Sequence, residues 1–91
     1  MSYTRTREST RYDFPAMIEY VMGSQADDGV VHKGVTINLS TTGLGMYIFD
    51  LLPKGQQITI KTALPVVSRT AAICWTRRDD DNFYRSGLKF I

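Results

Sequence analysis

The side chains best suited to chemistry fall in two short runs, and both suit recognition rather than bond making. The first is Arg7-Glu8-Ser9-Thr10-Arg11, a pair of arginines separated by three residues near the N-terminus. At that spacing side chains project to the same side in an extended chain and in a helix alike, so two guanidiniums can close on one anion. Arginine forks to phosphate oxygens or to guanine O6 and N7, and its weakly hydrated face stacks on a purine. The plain alternative is a solvated, disordered basic arm. The second run is Asn38-Leu39-Ser40-Thr41-Thr42-Gly43. Asn and Ser oxygens can accept from the ring N–H and amino group of guanine, and glycine admits close backbone approach. Here the plain alternative is an Asx- or Ser-type turn in which Gly43 takes a positive φ for geometry alone.

Both runs need elements to position them. Residues 1–12 are polar and carry Arg5, Arg7 and Arg11 against Glu8 alone, which reads as a flexible basic N-terminal arm; residues 13–91 read as one barrel domain. From Phe14 onward the pattern has period two, the signature of half-buried strands. Ala16, Ile18, Tyr20 and Met22 share a face, and Asp27-Asp28-Gly29 has hairpin chemistry. In the next strand Val31, Val35, Ile37 and Leu39 form one face, with His32, Thr36 and Asn38 on the other. After the Ser40–Gly43 turn, Leu44, Met46 and Ile48 alternate, and Leu52-Pro53-Lys54-Gly55 breaks the chain. Ile58 and Ile60 mark a fourth strand, Val66 to Arg77 a long fifth, and Phe83 to Ile91 a sixth. No segment keeps a helical apolar period over three turns. The expected fold is all-β: a six-stranded antiparallel β-barrel, closed so that no sheet edge is exposed.

Composition excludes much else. The chain has 91 residues, 43% hydrophobic and 22% charged, with a formal charge of +2. That balance suits one folded domain and is too small for a coat on long nucleic acid. Cys74 is the only cysteine, so no internal disulfide forms and a reducing, cytoplasmic setting is expected. The N-terminus lacks the apolar stretch of a secretory signal, and the charge-free segment Gly34 to Phe49 is too polar for a membrane span. One His and one Cys cannot build a zinc site, and no carboxylate loop has metal-binding spacing. Gly43-Leu44-Gly45 begins like a dinucleotide loop, but Ile48 stands where the third glycine belongs. His32 is expected to be a solvent-facing or hydrogen-bonded strand residue, and Asp79-Asp80-Asp81 a solvated hairpin tip. No catalytic constellation is present, so no enzyme and no cofactor are expected.

Taken in order, Arg-x-x-x-Arg followed by Asn-x-Ser-x-x-Gly resembles the two ligand motifs of the PilZ domain family. The end of the chain is similar as well, with Trp75 near the end of one strand and Gly87-Leu88-Lys89-Phe90 closing the next. The resemblance covers residues 5 to 91. It implies a non-catalytic receptor for cyclic di-GMP, a bacterial second messenger with two guanines and two phosphates. In that reading Arg7 and Arg11 hold phosphates and stack on or fork to guanine. Asn38 and Ser40 read a guanine edge, and Gly43 keeps the loop close. Arg5, separated from Arg7 by Thr6, is a third candidate contact, and Trp75 is either a wall of the site or part of the core. With no output domain in the sequence, the signal is expected to pass through a downstream protein. The competing readings are a ligand-free PilZ-like interaction module, or a small nucleic-acid-binding barrel with Tyr47 and Phe49 as stacking platforms.

Overall fold

The computed structural model describes residues 11–23 and 30–91. Arg5, Arg7 and the Asp27-Asp28-Gly29 turn lie outside the described residues. Six strands follow in order: β1 (Tyr12–Met22), β2 (His32–Leu39), β3 (Gly43–Ile48), β4 (Gln57–Ile60), β5 (Thr70–Arg78) and β6 (Tyr84–Phe90). They close into one antiparallel barrel in the spatial order β1-β2-β3-β6-β5-β4. The return pairing of β4 on β1, with Tyr20 opposite Ile60, completes the ring. The described residues are thus all-β, as period-two patterning implies.

Alternation packs the interior. Ile18 and Tyr20 from β1, Leu44, Met46 and Ile48 from β3, and Ile58 and Ile60 from β4 are buried with Ile73, Leu88 and Phe90. A barrel this small is filled by its own side chains and has no lumen for a ligand, so recognition falls to the outer wall. Leu52, also buried, comes from the segment that carries the chain from β3 to β4. Gly55, in that segment, holds φ at +92°, a value that glycine takes without strain.

Two expected strands need correction. In β2 the buried residues are Gly34 and Thr36, while Val31 is exposed and Val35 and Ile37 are only half-buried; Leu39 is buried after all. The cause is a β-bulge. Thr36 pairs with Met46 and Asn38 with Gly45, so Ile37 is an extra residue that resets the alternation. β1 has a matching irregularity between Asp13 and Ala16, around Pro15, which has no N–H to give to a ladder. The buried Thr36 hydroxyl is satisfied there, shared between the carbonyls of Phe14 and Ala16. The fifth strand begins at Thr70 rather than Val66. The chain must turn back from the short β4, Pro65 lies in that connection, and Val67 is almost fully solvent-exposed. The Ile60 N–H donates to the Arg69 carbonyl at 2.8 Å and closes the turn.

At one end of β2, His32 Nδ1 lies 3.1 Å from Asp50 Oδ2, and its ring stacks on Tyr20 at a centroid distance of 5.3 Å. The Asp79–Asp81 tip is exposed or partly so, with Asp79 and Asp81 within 4.0 Å of Arg77 and Arg78.

Burial, and secondarily the nearby Asp50 charge, push the Tyr20 phenol up to about 12. Its folded value lies above its unfolded one, so this phenol contributes stability that is present below pH 10 and lost as pH rises from 10 to 12. Thermal unfolding of wild type should fall across that window. A Tyr20→Phe variant should show a flatter alkaline limb.

Candidate functional site

The bulge at Ile37 turns Asn38 outward, and a second bulge does the same for Trp75. Ile73 pairs with Leu88 and Trp75 with Gly87, leaving Cys74 as the extra residue of β5. Without it, the alternation set by the buried Ala71 and Ile73 would send the indole into the core. Instead Trp75 is 47% exposed. The core alternative for this residue is therefore wrong, and its physical reason is one inserted residue.

Asn38, Gly45, Gly87 and Trp75 now form a continuous row across β2, β3, β6 and β5, each opposite the next. The two middle positions are glycine because neighbouring side chains lie over them. A Cβ on Gly87 would stand 2.2 Å from Trp75 Nε1, so the indole rests directly on that backbone. A Cβ on Gly45 would meet Asn38 Oδ1 at 3.0 Å. The wall is a shelf with an amide at one end and an indole at the other.

Arg11 reaches this shelf from the position just before β1. Its Nη1 donates to Asn38 Oδ1 at 2.8 Å, and the Gly45 N–H donates to the same oxygen at 3.1 Å. Both lone pairs of that carbonyl oxygen are thereby engaged. The contact joins the two sequence motifs across 27 positions of chain.

The surface around the shelf forms two open lobes that share Arg11, Trp75 and Gly87. The larger, about 420 Å³, extends past Thr42, Cys74, Leu88 and Lys89. The smaller, about 240 Å³, extends past Asn38, Gly45 and Arg85. Among the described residues no carboxylate lines either lobe, so the groove is cationic.

Ser40 and Gly43, also expected in the site, sit apart from the shelf. Ser40 is buried, and its Oγ accepts from the N–H groups of Thr42 and Gly43 at 3.2 Å each, which is the geometry of a Ser turn. Gly43 does not take a positive φ. Its requirement is space, since a Cβ there would lie 2.2 Å from the Leu88 carbonyl oxygen of the neighbouring strand. The sequence motifs assign no site role to Gly45, Gly87, Arg85 or Lys89, all of which line the groove. Odd-numbered positions of β6 share the outward face with Gly87, and that parity was the signal for the two cations. Among the described residues no group of three His, Cys, Asp or Glu side chains is placed to hold a metal, and no helix is long and apolar enough to cross a membrane.

The architecture defines a class first: a small, side-chain-filled antiparallel barrel that displays a basic groove on its outer wall. The PilZ domain profile matches residues 5–91, and the chain belongs to that family, which is in general one of cyclic di-GMP-binding adaptors. Comparison with curated proteins finds no significant match.

The shelf gives a direct test by fluorescence, because Trp75 is the sole tryptophan. Gly87→Ala should keep the barrel folded, since the obstructing atoms belong to a side chain with a free outer face. The indole must lift away from β6, and its emission should shift to longer wavelength. An unchanged spectrum in the folded variant would show that the ring does not rest on Gly87 in solution.

Proposed function

We propose that this chain is a cyclic di-GMP receptor without catalytic activity of its own, which works in the cytoplasm by presenting its ligand-bound surface to a partner protein. The observation that carries the reading is the Arg11–Asn38 hydrogen bond, which brings the ends of both motifs together over a glycine shelf walled by Trp75. A cyclic dinucleotide needs cations for its phosphates, flat surfaces for its bases and polar groups for the base edges. Arginine, a glycine-floored shelf with an indole, and an amide supply those three needs in one place.

The roles divide as follows. Arg11, with Arg7 and Arg5 from the arm, binds phosphate and stacks on guanine. Asn38 begins with its oxygen engaged by Arg11 and Gly45, so arrival of a phosphate that draws Arg11 away frees one lone pair for a guanine N–H. Phosphate capture and base reading are then coupled through one atom. Ser40 and Gly43 act by shaping the hairpin that carries Asn38, and Trp75 supplies the wall beside the base.

Calorimetric titration with cyclic di-GMP tests the reading, and absence of binding by the full chain would overturn it. Arg11→Ala should weaken binding at least tenfold with the fold intact, because hydrogen bonds to charged groups are worth about 1.5–3 kcal/mol. Asn38→Asp keeps an acceptor for Arg11 and Gly45 and should retain most affinity. Asn38→Ala leaves the Gly45 N–H without its partner, a stability loss of about 1 kcal/mol, and should weaken binding several-fold or more. A folded Asn38→Ala protein with wild-type affinity would reduce Asn38 to a turn residue. Cyclic di-AMP should bind more weakly than cyclic di-GMP, since adenine does not present the guanine donors on that edge. Equal affinities would mean that phosphates alone are read.

A further inference from the structure

Arg85 stands out among the cations of the outer wall. It is half-buried on β6, two positions before Gly87, and lines the smaller lobe with Arg11, Asn38 and Trp75. Arg77 and Arg78, by contrast, have Asp79 and Asp81 at 4.0 and 3.9 Å. Among the described residues the Arg85 guanidinium has no ion pair and no hydrogen bond. Its cross-strand neighbour on β5 is Arg77, and on the other side it faces Tyr47. Like charges directly opposite one another in a sheet repel and lower stability.

We propose that Arg85 is a further ligand-binding residue of this site, a phosphate contact at the far end of the smaller lobe. The inference rests on the reading that the groove takes a cyclic dinucleotide. Two features favour phosphate over a base edge as its target. The residue has no counter-charge of its own, and no carboxylate lines the lobe to offset it. A full negative charge relieves that situation, and a neutral base edge does not. The placement is also suitable. Arg85 lines the same lobe as the Asn38–Gly45–Gly87 shelf, within one small site of the groups that would take the base. Neither sequence motif contains this position, so the cationic site has a contributor from β6 as well as from the arm.

The experiment is calorimetric titration of cyclic di-GMP into the full chain at several salt concentrations, for wild type, Arg85→Ala, Arg85→Lys and Arg77→Ala, with thermal unfolding of each. Arg85→Ala should weaken binding roughly tenfold and flatten the dependence of affinity on salt, as loss of a phosphate contact does. Arg85→Lys should restore the salt dependence and part of the affinity, because it returns charge without the planar fork. Arg77→Ala should keep wild-type affinity. Arg85→Ala should also unfold at the same or a higher temperature, since it removes a repulsion, which separates lost contact from lost structure. Wild-type affinity in Arg85→Ala, or weakened binding with an unchanged salt dependence, would overturn the phosphate assignment while leaving the receptor reading in place. Failure of wild type itself to bind cyclic di-GMP would overturn both.

Discussion

A strand has only two faces, so one extra residue moves every later side chain from one face to the other. In this barrel that happens at Ile37 in β2 and at Cys74 in β5. Upstream of each bulge the strand serves the core, through Thr36 on β2 and through Ala71 and Ile73 on β5. At the bulge the strand switches, and the next residue after the insertion, Asn38 or Trp75, is delivered to the outer wall. Core and site thus make opposite demands on the same two strands, and the insertions reconcile them. The glycines between complete the arrangement, because side chains at positions 45 and 87 would collide with the amide and the indole that the bulges turn out.

Much of the fold was legible because alternation is a strong signal where a strand is regular. β1 and β3 show it: Ile18 and Tyr20, then Leu44, Met46 and Ile48, are buried as their spacing implies. The signal failed where the ladder is irregular. Ile37 looks like a core residue by composition and position, yet it is the insertion, and only the pairing partners Met46 and Gly45 reveal that. The start of β5 was misplaced for a different reason. Val66 and Val67 have high strand propensity, but propensity describes fit to a pleated, half-buried surface, and this segment is needed to reverse the chain after β4.

The site was legible as residue types more than as geometry. Arg11 and Asn38 could be singled out, but nothing in a linear sequence says that they touch, or that Gly45 shares the same acceptor oxygen. Ser40 illustrates the reverse. Its hydroxyl suits ligand recognition by type, whereas its burial and its bonds to Thr42 and Gly43 make it the brace of the hairpin. Arg85 escaped notice because it belongs to no motif. Only the barrel order, which sets β6 between β3 and β5, carries it to the same lobe as Arg11.

Closure of the barrel depends on its shortest member. β4 has four residues and is held to β1 and to β5 by three paired positions on each side. The longer ladders β1–β2, β3–β6 and β5–β6 lie around the rest of the ring. β4 is therefore the strand whose release breaks the fewest ladder pairings. The groove spans β2, β3, β6 and β5, and β5 pairs with β4 only at Thr70–Ala72, before the bulge at Cys74 that delivers Trp75. The shortest ladders of the ring and the shelf thus share a strand but use different lengths of it.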